Sequence, residues 1–111
     1  MMEKRKLLTI IAEALLEEPL TAELEELGVP GYTITEARGK GRHGVRNSGW
    51  EHSANILMEI VCEEELARAI LAMLEEKFFE NYAIVVFLSD VEVLHPEKFR
   101  ALPPKRPRHG A

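Results

Sequence analysis

The chain has 111 residues, 46% of them hydrophobic and 30% charged, with a formal net charge of −5 and one cysteine. That composition suits one soluble domain able to bury roughly two thirds of its unfolded surface in a single core. The lone Cys62 excludes an internal disulfide framework or a four-cysteine zinc site within one chain. The longest apolar run, Leu7 to Ala12, is far short of the ~20 residues that span a bilayer, and no secretory pattern is evident. The cytoplasm is therefore the expected location, with no direct membrane insertion.

Lys4 to Glu13, rich in Leu, Ile and Thr, reads as a first strand apolar enough to be covered on both faces. A helix should follow. Pro19 suits a first helical turn, Leu20, Leu24 and Leu27 recur at i, i+4 and i+7, and Gly28 with Pro30 supplies a stop. Tyr32 to Arg38 alternates as a second strand, and Asn55 to Val61 makes a third. Glu63 to Glu65 place negative charge where the positive end of a helix dipole begins. Leu66, Ile70, Met73, Leu74 and Phe78 then form the apolar face of a second helix. Ile84 to Leu94 is a fourth strand, and its nearly continuous apolar first half predicts a strand that is central or covered on both faces.

The order βαββαβ predicts an α+β, ferredoxin-like sandwich with both helices on one face of a four-stranded antiparallel sheet. Apolar content on both faces of the first and fourth strands calls for a partner over the other face, so a homo-oligomer is expected. The domain spans residues 1–99. Residues 100–111, with Pro103, Pro104 and Pro107 among Lys105, Arg106 and Arg108, read as a flexible basic tail.

Between the second and third strands, the segment from Gly39 to Ser53 carries Gly39, Gly41, Gly44 and Gly49 alongside Lys40, Arg42 and Arg46, with Arg38 just before it. A compact domain seldom keeps so long a structureless stretch unless it binds something or is disordered. Glycines let successive N–H groups converge on an anion, and the cations add charge on the same segment. The acidic residues lie elsewhere: Glu17, Glu18, Glu23, Glu25 and Glu26 load the first helix, and Glu63, Glu64, Glu65, Glu75, Glu76 and Glu80 the second. A body so charged repels nucleic acid while its loop attracts small anions, so nucleic-acid binding is not expected.

Gly31-Tyr32-Thr33-Ile34-Thr35, Gly39-Lys40-Gly41, Val45-Arg46, Phe78-Phe79-Glu80-Asn81-Tyr82-Ala83 and Val91-Glu92-Val93-Leu94 occur in that order. This ordered set resembles the PII-like signalling proteins, and within them the carboxysome-type PII (CPII) and SbtB branch linked to inorganic-carbon transport. The resemblance runs from about Lys4 to Phe99. It implies a homotrimer that binds adenine nucleotides (AMP, ADP, ATP or cyclic AMP) in clefts between subunits, with residues 39–53 as its T-loop. Some members of the branch also bind bicarbonate and regulate its uptake by docking on a membrane transporter through that loop. Carried over residue by residue, Gly39, Lys40, Gly41 and Arg46 would meet the nucleotide phosphates, with backbone amides and a guanidinium standing in for an absent Walker motif. Arg42 joins them, although relatives often place Ser then Arg where this chain has Arg42 then His43. Thr33, with Ala83, Ile84 and Val85, would form the adenine-facing wall.

Other readings remain at this stage. A CutA-like trimer could assemble a divalent-metal site from His43, His52 and nearby glutamates, which leaves Gly-Lys-Gly and Val-Arg without a purpose. Some SbtB relatives hydrolyse nucleotides, apparently through a C-terminal loop with paired cysteines, and this chain has no such pair. Nothing resembles a nucleophile held by an oriented base, so no enzymatic activity is expected. Tyr32 and Tyr82 read as ordinary core or interface aromatics, and Cys62 as a small buried hydrophobe.

Overall fold

The computed structural model describes residues 2–41, 44–45 and 54–105, with only the backbone described at 41, 44 and 45. The strands among them are β1 (Met2–Glu13), β2 (Thr33–Ala37), β3 (Lys40–Gly41), β4 (Gly44–Val45), β5 (Asn55–Cys62) and β6 (Val85–Leu94). The helices are α1 (Glu17–Leu27) and α2 (Glu64–Lys77), with 3-10 turns at Ala14–Leu16 and Pro96–Phe99. Four strands form one antiparallel sheet of order β2-β5-β1-β6, and β3 pairs with β4 apart from it. This is the predicted α+β, ferredoxin-like arrangement.

Alternation along the strands sorts the sheet into two faces. Leu8 stands opposite Ile60 and Leu88, and Ile10 opposite Met58 and Val86. These side chains meet the helices, and Leu8, Ile10, Met58 and Ile60 are fully buried. On the helices, Leu20 and Leu24 of α1 and Leu66, Ala67, Ile70, Met73 and Leu74 of α2 turn to the same core, which Phe78 closes just past α2. Each such Leu or Ile contributes roughly 1.5–3 kcal/mol through burial. Glu64 and Glu65 occupy the first turn of α2 and Lys77 its last, each sign suited to the helix dipole. Lys77 also reaches Glu23 of α1 at 3.0 Å. The α1 stop is Gly28, in the left-handed region at φ 88°, its N–H donating to Glu25 O.

The opposite face carries Leu7, Thr9 and Ile11 of β1, Leu57 and Val61 of β5, and Val85 and Phe87 of β6, and no helix among the described residues packs on it. The expectation that the fourth strand is central or covered on both faces fails within one chain. β6 is an edge strand, with Val86 and Leu88 half-buried in the core and Val85 and Phe87 exposed by 40% and 50%. An apolar run records what both faces prefer to touch; it carries no signal for one or two hydrogen-bonded neighbours. The β3–β4 pair likewise departs from a structureless 39–53 segment, since two residue pairings suffice to form a short ladder there.

Residues 100–105 have no regular structure, yet they lie along the end of α1. Leu102 N–H donates to Gly28 O at 2.7 Å and Lys105 N–H to Glu26 O at 2.9 Å, with Ala101 packed on the core.

Candidate functional site

β2 delivers the chain to the glycine-rich segment. After Ala37, exposed Arg38 and Gly39 lead into β3, where Lys40 stands opposite Val45 and Gly41 opposite Gly44. The register therefore puts Lys40 level with the residue that precedes Arg46. Arg42, Arg46, His43, His52 and Trp50 lie outside the described residues, as does the whole 46–53 stretch. Gly39 has nothing within 4 Å of where a Cβ would stand, so its backbone is open to a ligand.

The assigned wall divides between two places. Thr33 is exposed at the start of β2, paired with Glu59. Ala83 is exposed in the connection after α2, Ile84 is half-buried against the core, and exposed Val85 begins β6. Following the register, Val85 faces Ile11, Ile11 faces Leu57, and Leu57 faces Thr35. By the same path Phe87 shares a row with Thr9, Glu59 and Thr33. Thr33 and Val85 thus share the helix-free face, and Val85 begins β6 at the end of the sheet where β2 runs into the Gly39 segment. They sit on opposite edges, three strand spacings or roughly 14 Å apart across the sheet and two rows apart along it. One chain places Thr33 on one edge of the sheet, with Gly39, Lys40 and Gly41 following beyond the far end of β2, and Val85 on the opposite edge, with Ala83 and Ile84 just before it.

A cleft of about 310 Å³ lies at the far end of the sheet, lined by Lys4, Arg5, Lys6, Glu63, Glu64 and Asp90. None of the described residues among those assigned borders it. Within it Lys6 Nζ donates to Asp90 Oδ1 at 2.6 Å, and that hydrogen bond, then the lysine's charge, holds the Asp90 carboxyl below its usual pKa. Cys62, paired in register with Lys6, is fully buried, and burial with the nearby Glu63 charge raises its thiol from 9.0 to about 11. It is the small buried hydrophobe expected of it. Among the described residues no group of three His, Cys, Asp or Glu side chains is placed to hold a metal ion. No helix among them is long and apolar enough to cross a membrane.

Of the core or interface places expected for Tyr32 and Tyr82, the structure removes the first. Tyr32 and Tyr82 are each about two fifths exposed, so neither is a core residue; Tyr82 packs its ring 6.2 Å from that of Phe78. Phe87 was hidden inside a strand read as covered, although its alternation with Val86 and Leu88 already placed it on the outer face.

The fold is shared with the PII-like signalling proteins. The model of the family Nitrogen regulatory protein P-II matches residues 5–98, and the chain belongs to that family. Among solved structures, a PII-like signalling protein of Thermus thermophilus is 44% identical, with 88% of this chain and 97% of that one covered and a TM-score of 0.75. CPII of Thiomonas intermedia, bound to ADP, AMP and bicarbonate, is 36% identical over 90% of this chain and 97% of its own, with a TM-score of 0.80. The same protein bound to ADP and bicarbonate is 37% identical over 90% and 98%, also at 0.80.

Proposed function

We propose that this chain acts as a homotrimer that binds an adenine nucleotide, together with bicarbonate, in clefts between its subunits. The observation that carries the reading is the division of Thr33 and Val85 between opposite edges of one sheet, on its helix-free face. Thr33 and the Gly39-Lys40-Gly41 backbone at the β2 edge need a second copy's Ala83–Val85 to complete a wall. The apolar face holding Leu7, Ile11, Leu57, Val85 and Phe87 offers the surface on which copies would meet. The ligand identity is supported by CPII, whose structures hold ADP, AMP and bicarbonate.

In this mechanism the nucleotide is an effector. Backbone amides at Gly39 and Gly41 with the charges of Lys40, Arg42 and Arg46 hold its phosphates, and binding selects one arrangement of residues 39–53. A partner reads that arrangement. We assign the partner as a membrane bicarbonate transporter or a protein related to it, which would link carbon supply to the adenylate pool. Bicarbonate would sit between phosphate and loop, where the same cations serve both anions.

Isothermal titration calorimetry with AMP, ADP, ATP and cyclic AMP, each with and without bicarbonate, tests the reading. Micromolar binding of at least one nucleotide is expected, strengthened by bicarbonate. Arg46→Ala should weaken it at least tenfold, the scale of a lost charge-assisted phosphate contact at about 1.5–3 kcal/mol. Unchanged affinity in that variant would remove Arg46 from the site, and no binding of any nucleotide would refute the function.

A further inference from the structure

Past Phe99 the chain turns away from the β6 edge and closes on α1. The last carbonyls of a helix have no partner inside it. Here Glu26 O accepts the Lys105 N–H at 2.9 Å, and the Gly28 carbonyl just beyond the helix accepts the Leu102 N–H at 2.7 Å. The fit needs glycine twice over. Gly28 has φ 88°, which favours a residue without Cβ, and a Cβ there would stand 2.1 Å from Leu102 O. Close backbone approach is therefore built into the helix stop itself.

The grip is specific in position but shallow. Leu102 is 53% exposed, and Ala101 is only partly buried against the core. The Lys105 to Glu25 ion pair spans 4.0 Å between exposed side chains. Segments held by a few surface hydrogen bonds open locally at little cost compared with core strands.

Its path gives the grip a consequence. The 3-10 turn Pro96–Phe99 that begins the return is tied to β1 through Arg5, whose guanidinium donates to Pro96 O at 3.4 Å. Through Leu102 the segment seats on Gly28, from which buried Val29 and then Pro30, Gly31 and Tyr32 lead into β2. β6 and β2 are on opposite edges and share no hydrogen bond. Residues 100–105 thus make a second link between them, outside the sheet.

The geometry points to a conformational device: Ala101–Lys105 is a clasp that opens as a unit on a folded body, and its closing steadies the start of β2. Since Thr33 begins β2, the clasp bears on the candidate ligand edge; that last step alone rests on the proposed nucleotide function.

Amide exchange of the full-length protein followed by NMR tests it. The Leu102 and Lys105 amides should exchange at least tenfold faster than the β1 amides paired with β5. Leu102→Pro removes one donor without altering α1 or β2, and Gly28→Ala expels the segment from the other side. Both should speed Lys105 exchange at least a further tenfold and raise exchange of the β2 amides paired with β5 severalfold, leaving β1 unchanged. Lys105 exchanging in step with β1 in the unaltered protein would overturn the clasp. β2 exchange unmoved by Leu102→Pro would overturn its hold on that strand. In parallel, ADP affinity should shift at least threefold in both variants if the clasp bears on the ligand edge; equal affinity overturns that step. Absence of ADP binding to the unaltered protein refutes the nucleotide function instead, and the exchange arms still decide the clasp.

Discussion

Replacing Phe87 with Asp tests whether the helix-free face is where copies meet. Phe87 stands mid-row with Thr9, Glu59 and Thr33, half its surface open to solvent. A phenylalanine presents about 200 Å², so covering the open half removes ~100 Å² from water and contributes ~2.5 kcal/mol per copy at ~25 cal/mol/Å². Across three copies this is ~7.5 kcal/mol, or about five powers of ten in the trimerisation constant, before the cost of burying a carboxylate is added. Sedimentation velocity should show the unaltered protein as a trimer at micromolar concentration and Phe87→Asp as a monomer with an unchanged far-ultraviolet circular dichroism spectrum. Ala72→Asp, on the exposed outer side of α2, is the control and should stay trimeric. A Phe87→Asp protein that remains trimeric at all accessible concentrations would refute the assignment of this face.

Two titratable groups and one phosphate contact supply the other tests. With its pKa raised to about 11, Cys62 at pH 8 has roughly a hundredfold less thiolate than an ordinary thiol at 9.0, so iodoacetamide should modify the native protein at least that much more slowly than the urea-unfolded chain. Because the folded pKa is the higher one, the thiol's contribution to stability is full below pH 9 and fades as pH rises towards 11; comparable alkylation rates would contradict its burial. Asp90 has the opposite sign: its lowered pKa supplies stability above about 3.8 that is lost as pH falls through the lower folded value. The Tm difference between the unaltered protein and Asp90→Asn should therefore shrink from pH 6 to pH 2, and a constant difference would deny the Lys6 pairing its role. Arg46→Ala, assayed by calorimetry as above, should cost at least tenfold in nucleotide affinity.

The elements were legible because each had a local cause. Leu66, Ile70, Met73 and Leu74 repeat at helical spacing, and Gly28 ends α1 where a stop was read. Neighbour relations were not. Nothing in Ile84 to Leu88 distinguishes an edge from a centre, because hydrogen-bonded partners are chosen by the whole topology. Gly28 illustrates the same limit within one residue. Its role as a helix stop is written in its neighbours, whereas its role as a seat for Leu102 depends on a segment at the far end of the chain. Thr33, Ala83 and Val85 entered as site residues through family resemblance; chain order could not reveal that three strand spacings separate them.

That separation has a thermodynamic consequence that tests assembly and ligand together. If each cleft takes residues from two copies, the monomer has only half-sites, and a nucleotide that binds the complete cleft must stabilise the trimer by mass action. At a hundred times Kd each filled site adds ~2.7 kcal/mol, so three sites add ~8 kcal/mol per trimer. A destabilised variant makes this measurable. Phe87→Ala removes part of the exposed apolar face and should bring the trimer into a dissociating range without introducing a charge. Saturating ADP with bicarbonate should then restore the trimer in sedimentation velocity, with the dissociation midpoint moving by several powers of ten in protein concentration. A variant that binds ADP stoichiometrically yet dissociates at the same protein concentration with and without it would show that one chain holds the whole site and would refute the divided cleft.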